Sequence, residues 1–203
     1  MPKTLRISFR PMASKPPVAV YDACVLYLFH LLNVLIQCAF DGLVEARWSD
    51  DIHDEWIRNL AANTPSLFIG RLIATRGRMK AVLPEADVTH YRPLVDDLKL
   101  PDPGDRYVLA AAIAGKASVI VTWNLKDFPA HNLGPDGVIS QSPDDFLSDL
   151  NAAFPDESIS SVASARRNPR KTAPSIEAFV EALEQGGLKN FSAILRRDIG
   201  KLR

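Results

Sequence analysis

Several acidic and amide side chains of this 203-residue chain stand where apolar runs end or begin. Asp22 follows the run Val18-Ala19-Val20-Tyr21, and Glu55 lies in the stretch DDIHDEWIRNL. Asp102 and Asp105 precede an apolar helical stretch, and Asn124 and Asp127 follow the run Ser118–Thr122. Taken singly, each has an ordinary role open to it. Asp22 and Asp127 could close Asx turns, Asp102 could be a turn residue, Asp105 could cap a helix, and Glu55 could be a surface residue. Taken together they point to chemistry. Carboxylates gathered at one place raise one another's pKa and cannot all stay ionised without cations. Hard divalent cations with oxygen ligands resolve that conflict. Mg²⁺ or Mn²⁺ held this way activates a water and stabilises charge building on a phosphoryl oxygen. The chain has no Walker A loop, no GxGxxG and no Ser-His-Asp order. Metal-assisted phosphodiester hydrolysis needs none of these and needs no catalytic histidine.

Elements must bring these residues together. Val18 to Tyr21 reads as a strand. Leu26 to Phe40 reads as a helix stopped at Asp41-Gly42. Leu43 to Trp48 is a second strand. Ser49 is placed to cap a helix from Asp50 to about Ala62, with Asp50 and Asp51 at its positive end. On that helix Ile52, Trp56 and Leu60 share a face, and Glu55 falls at its border. Leu67 to Met79 is helical, Lys80 to Val82 is expected to be a strand, and His90 to Leu98 a weak helix. Asp105 to Ala114 is a helix with Gly115 as its left-handed C′ residue. Ser118 to Thr122 is a buried strand, Gly137 to Ser140 an edge strand, and Pro143 to Leu150 a helix. Strands alternating with helices imply a parallel sheet, whose site lies beyond the carboxyl ends of its strands. Asp22, Asn124 and Asp127 all follow strands at that edge, and Asp105 starts a helix that can reach it.

Composition narrows the class. Nearly half of the residues are apolar, enough for a real core. The formal net charge is zero but unevenly spread. Residues 1–16 carry Lys3, Arg6, Arg10 and Lys15 and no acid, and residues 163–203 carry nine basic residues against four acids. The middle keeps the other 20 of 24 acids and 11 of 24 bases. An acidic body with basic ends suits a cation-binding centre with arms for a polyanion. Cys24 and Cys38, the two cysteines, lie in apolar stretches and read as free buried thiols of a reducing, cytoplasmic compartment. The run from Pro16 to Phe40 invites a membrane reading. Asp22 counts against it, since a charge at a bilayer centre costs about 2.5–3.5 kcal/mol. A buried strand and helix, with no membrane partner, is the expectation.

Beyond Ala152 the character changes. Residues 151–174 are read as a linker, because 155–175 are rich in Ser, Pro and Arg. Ser175 then caps a helix with Ile176, Phe179, Val180 and Leu183 on one face, closed by Gly186-Gly187. Leu188, Phe191, Ile194 and Leu195 mark a second helix. The hairpin 175–203 is too small to fold alone and must dock. The expected division is a basic segment 1–16, an α/β domain 17–150, the linker, and the hairpin.

Four segments, VAVYDACVLY, RWSDDIHDEWIRNL, LPDPGDRYVLAAAIAGKASVIVTWNLKDF and SPDDFL, resemble the PIN-domain ribonucleases, in particular VapC-type toxins of bacterial toxin–antitoxin pairs. The likeness covers roughly residues 17–150, and the C-terminal hairpin resembles an extension of one VapC-like subgroup. It implies a three-layer α/β/α PIN-like domain around a central parallel sheet, a Mg²⁺ or Mn²⁺ site, and cleavage of single-stranded RNA. By motif, Asp22, Glu55 and Asp105 match the family's acids, Asn124 its fourth ligand with Asp127 just after, and Thr122 its hydroxyl residue. Asp22, Glu55, Asp105 and Asp127 are then the catalytic set, and those four with Asn124 the metal set. Thr122, Arg47, Arg58 and the group Arg166, Arg167, Arg170 and Lys171 are candidates for RNA contact. Relatives of this shape often read DPDDRHVLAAA. Here Gly104 and Tyr107 replace an acid and a histidine, and Asn124 replaces an aspartate, which predicts modest metal affinity. The resemblance also implies a VapB-like antitoxin and a homodimer. The antitoxin helix would lie in an apolar groove between Leu26–Phe40 and Ile52–Leu60, and the hairpin is expected to cover that groove or swap to a second copy.

Two other classes compete. A non-catalytic PIN-like RNA-binding or scaffolding protein would keep the acids as structure only. A phospho-acceptor receiver domain needs an acidic pair after its first strand and a well-placed lysine. Asp22 has no acidic neighbour and Lys126 is poorly placed, which counts against that class.

Overall fold

The computed structural model describes residues 15–64, 68–169 and 172–202. Four strands, β1 (Val18–Tyr21), β2 (Glu45–Arg47), β3 (Val119–Val121) and β4 (Ile139–Gln141), form one parallel sheet in the order β2-β1-β3-β4. Ala19, Val20 and Tyr21 of β1 and Val119, Ile120 and Val121 of β3 are all buried, although neighbours on a strand point to opposite faces. Both faces are therefore covered, as parallel sheets require. Helices supply the covering, in a three-layer α/β/α arrangement with further helices at the C-terminus. Tyr21 pairs with Val121, and the Asp22 amide donates to the Val121 carbonyl at 3.1 Å. That register makes Asp22 and Thr122 leave the sheet side by side.

Helix α1 (Phe29–Phe40) buries Leu31, Val34, Leu35 and Cys38 and ends at Gly42, whose φ of +80° continues no helix. It begins three residues later than expected, because a short 3₁₀ turn at Ala23–Val25 leads the chain away from Asp22. Among the described residues, no helix is long and apolar enough to cross a membrane. Helix α2 (Asp50–Asn63) is capped as expected, the Ser49 Oγ accepting from the Ile52 amide at 3.3 Å. Helix α3 (Ile69–Val82) contains Lys80 to Val82, so the strand expected there does not exist. Met79 is buried one residue before it, and the helical period runs on until Leu83-Pro84.

The weak helix expected at 90–98 is a 3₁₀ segment, Arg92–Asp97. Helix α4 (Arg106–Ala114) follows a 3₁₀ turn at Pro103–Asp105. Gly115 is not its left-handed residue; its φ is −81°, and Lys116 takes φ +54° instead. Glycine is needed at 115 for room, because a β-carbon there would lie 2.8 Å from Val88 Cγ2 and 2.9 Å from the Ala111 carbonyl. Short α5 (Ala130–Leu133) leads into β4, and α6 (Pro143–Ala153) follows it.

The linker expectation is overturned over most of its length. Residues Pro155–Arg167 form helix α7, packed along α1. Its serines are part of the packing: Ser158 and Ser161 are buried, and Ser161 donates to Asp41 at the end of α1. The hairpin is α8 (Ile176–Gln185) and α9 (Lys189–Arg197). It packs on α6 and the start of α1. Asp144 of α6 fixes the junction by accepting the amides of Asn190 and Phe191 at the start of α9, at 3.0 and 2.8 Å.

Candidate active site

The carboxyl edge of β1 and β3 gathers most of the expected acids. Asp22 is 4% exposed, and its Oδ2 accepts from the Thr122 hydroxyl at 2.7 Å and from the Cys24 thiol at 3.0 Å. The Thr122 oxygen in turn accepts the Asn124 amide at 2.9 Å, and the Trp123 amide donates to Cys24 Sγ at 3.3 Å. One buried hydroxyl and one half-buried thiol thus lock a buried carboxylate. Burial, then the charge of Asp22, pushes the Cys24 thiol up to about 12, so it stays protonated and acts as a donor. Thr122, also a candidate for substrate contact, is fully buried, and its hydroxyl is engaged by Asp22 and the Asn124 amide.

Glu55 comes from the border of α2 and is half-buried. Tyr107 donates to its Oε2, and Asn59, one helical turn on, donates to its Oε1 at 3.3 Å. Asn59 also donates to the Tyr27 hydroxyl at 2.7 Å. Burial first and the charge of Asp22 second raise the Glu55 pKa, against the opposing effect of Arg58. Asp105 opens α4 without capping it. Its pKa is pushed up to about 7, by burial first and then by Asp22, Asp102, Asp127 and Glu55 in that order. Asp102 is exposed, its carboxylate accepting the Gly104 amide at 2.7 Å. Among the ion pairs of the described residues, none includes Asp22, Glu55, Asp102, Asp105 or Asp127.

The electrostatics and the spacing say different things about readiness for a metal. The acids feel one another strongly, yet among the described residues no group of three or more His, Cys, Asp or Glu side chains stands ready to hold an ion. The donor chemistry nonetheless fits Mg²⁺ or Mn²⁺: hard oxygens that form no ion pair among the described residues. Mg²⁺ is commonly held by one or two carboxylates with water and substrate phosphates completing its shell.

The remaining expected residues divide. Asn124 is exposed at the head of a 3₁₀ turn, and Asp127 is half-buried at its end. Arg58 is exposed and within electrostatic reach of Glu55. Arg47 is not brought to the site: it pairs with Glu45 at 2.9 Å, donates to the Ala46 carbonyl, and lies against Gly115 at the far end of α4. Arg166 is committed to the fold, donating to the carbonyls of Pro174 and Leu202. Arg170, Lys171 and residues 1–14 of the basic segment lie outside the described residues. Cys24, Asn59 and Tyr107 had no assigned role in the sequence. Asn59 was findable, being four residues from Glu55 on one helix face.

A PIN-domain family model matches residues 18–126, more than half of the chain and the whole stretch from β1 through Asn124. The chain belongs to the PIN-domain family. The model for the VapC50 C-terminal domain matches residues 143–197, from the start of α6 to the end of α9. A protein of Mycobacterium tuberculosis (strain ATCC 25618 / H37Rv) named "Putative ribonuclease VapC50" is 56% identical over 45 residues. That match spans 22% of this chain and 27% of the relative. No solved structure gives a significant match. Residues 127–142 lie between the two matches, and the second takes in the stretch expected to be a helix followed by a linker.

Proposed function

We propose that this PIN-domain chain is a VapC-type toxin, a Mg²⁺- or Mn²⁺-dependent endoribonuclease of single-stranded RNA acting in the cytoplasm. The observation that carries this is Asp105, whose carboxyl is lifted to about 7 by burial and four neighbouring acids, while among the described residues no ion pair includes any of the five. The name of the mycobacterial relative supports the same reading. Asp22 and Asp105 would hold the ion, aided by Asn124 or Asp127. Bound there, it would neutralise the carboxylates and stabilise charge on the phosphoryl oxygens. Glu55, held by Tyr107 and Asn59, positions a water for in-line attack on phosphorus, and the 3′ oxygen leaves. Arg58 is the described arginine best placed to meet the RNA backbone.

Such a nuclease needs an inhibitor. A VapB-like antitoxin would lay an apolar helix on the chain and bring a basic residue to the acids, where an arginine fork satisfies carboxylates well. An open groove of about 760 Å³ supports this, lined by Leu26, Phe29, Leu32, Trp56, Leu60 and Phe68. Phe29 and Phe68 are 58% and 71% exposed, more than a large apolar residue without a partner usually is. A homodimer is part of the same proposal.

The missing three-carboxylate cage favours one second reading, a PIN protein that binds RNA or scaffolds without cutting. Incubating the purified chain with mixed single-stranded RNAs, with and without Mg²⁺, and mapping the ends separates the two. Cleavage should need Mg²⁺ and should vanish in Asp22→Asn and Asp105→Asn variants that remain folded. Wild-type cutting by both variants at limiting Mg²⁺ would refute the assignment. No cutting by the wild type, with no Mn²⁺ binding in a calorimetric titration, would favour the second reading.

A further inference from the structure

The C-terminal hairpin ends on the acidic site. Helix α8 closes with the Gly187 amide on the Glu184 carbonyl at 2.9 Å and the Leu188 amide on the Leu183 carbonyl at 3.1 Å. This is a Schellman closure with Gly187 in the left-handed position, φ +100°. A β-carbon on Gly187 would lie 3.0 Å from Trp123 Cη2 and 3.4 Å from its Cζ3. The edge of the Trp123 ring therefore rests on the bare α-carbon of the turn. Trp123 stands between Thr122, which holds Asp22, and Asn124, and its own amide binds the Cys24 thiol that also holds Asp22.

The same turn touches the other site loop. A β-carbon on Gly186 would lie 3.1 Å from Leu28 Cδ1, in the segment that joins Asp22 to α1. The turn cannot easily drift. The carboxylate of Asp144 clamps the start of α9 just beyond it, and the Phe179 ring of α8 meets His30 of α1 edge-on, with centroids 5.2 Å apart. The loops after β1 and β3, which carry Asp22 and Thr122–Asn124, are thus both backed by two glycines of the extension.

We infer that the extension braces the active site, with Gly187 and Trp123 as positioning residues that hold Thr122 in the pose in which it grips Asp22. This rests on the reading of Asp22 as a metal-binding residue. A hairpin that merely stabilised the fold would affect the site only through the fraction of unfolded protein.

The test uses full-length chain at a temperature where every variant is folded. Gly187→Ala adds both a β-carbon against Trp123 and backbone strain. Trp123→Phe withdraws the ring edge without straining the turn. Leu195→Ala hollows the interior of the hairpin about two helical turns away, so it loosens the extension without touching the contact. Mn²⁺ affinity is measured by calorimetry with the metal alone. Acrylamide quenching of tryptophan fluorescence is measured without metal; Trp48 and Trp56 are buried, so quenching reports on half-buried Trp123. Gly187→Ala and Trp123→Phe should each weaken Mn²⁺ binding by roughly 10-fold, the low end for a residue that supports a ligand. Gly187→Ala should also raise quenching, and Leu195→Ala should do neither. Wild-type affinity in both contact variants, or an equal loss in Leu195→Ala, would overturn the inference. If the wild type itself binds no Mn²⁺, the metal reading fails and the quenching comparison decides the brace. Greater quenching in Gly187→Ala than in Leu195→Ala supports it, and equal quenching removes it.

Discussion

Helix α2 delivers acids to two places with opposite fates. Asp50 and Asp54 turn to α3, where Arg76 meets them at 2.6 and 2.7 Å and Lys80 bridges Asp50 and Asp87 at 2.8 and 3.0 Å. There the hydrogen bond from Lys80, with help from Arg76, holds the Asp50 pKa below its ordinary value. Glu55, next to Asp54 in sequence, turns to the edge of β1 and β3. Among the described residues the acids there form no ion pair, and the pKa values of Glu55 and Asp105 rise. Three basic residues form ion pairs on the flank, counting Arg92 on Asp51, whereas at the site Arg58 only opposes the rise of Glu55 from a distance. One acidic cluster is thus neutralised by ion pairs, while in the other the acids raise one another's pKa.

The comparison can be broken or sharpened by experiment. The largest effect is expected from Thr122→Val, which keeps shape but removes the hydroxyl that holds Asp22. Mn²⁺ affinity should fall by roughly 10–100-fold, the usual range for a partner of a metal ligand. Unchanged calorimetry would mean that Asp22 needs no holder.

A smaller effect concerns pH. The folded Asp105 carboxyl titrates near 7 against an ordinary 3.8, so the folded chain binds that proton more tightly than the unfolded chain. The resulting stability is fully present below about pH 4 and is lost as pH rises through 7. Asp105→Asn has no such proton to lose. In EDTA, its thermal midpoint relative to wild type should be higher at pH 8 than at pH 5. Equal differences at the two pH values would show that the acids do not crowd one another.

The smallest effect belongs to the flank. Asp50→Asn should cost less than about 1 kcal/mol at pH 7, as exposed pairs do. The sign is reversed from Asp105, because a lowered pKa stabilises above the ordinary carboxylate range and the benefit fades as acid protonates Asp50. Thermal melts should show the deficit at pH 7, shrinking in acid, with Mn²⁺ binding untouched. A loss of metal binding would join the two clusters into one.

Much of this was legible in the sequence because strong local signals agreed. The run VAVY could only be a buried strand, and Asp22 had to leave it at the carboxyl edge. Ser49 announced the start of α2, and the 3.6-residue period put Glu55 at its border. What was missed depended on long-range contacts. Lys80-Ala81-Val82 is too short for its period to decide between strand and helix. It is helical because Met79 is buried beside it. Residues 155–167 looked like a linker because serine-rich composition usually marks one. Here the serines are buried and bonded, Ser161 to Asp41 at the end of α1 and Ser158 to Asn151 of α6, alongside buried Ile159, Val162 and Ala163. Arg47 and Arg166 looked free to bind RNA, and only the folded chain shows the carbonyls and carboxylate that occupy them.

The two thiols carry a practical consequence. Burial pushes both Cys24 and Cys38 up to about 12. At pH 8 only roughly one part in ten thousand of either would be the reactive thiolate, against a quarter or so for a free cysteine. In the folded protein an alkylating reagent has almost nothing to attack, whereas each opening of the core restores ordinary reactivity. The rate of labelling is therefore a clock for opening, already divided in two. Cys24 times the loosening of the acidic edge, and Cys38 times the separation of α1 from the sheet.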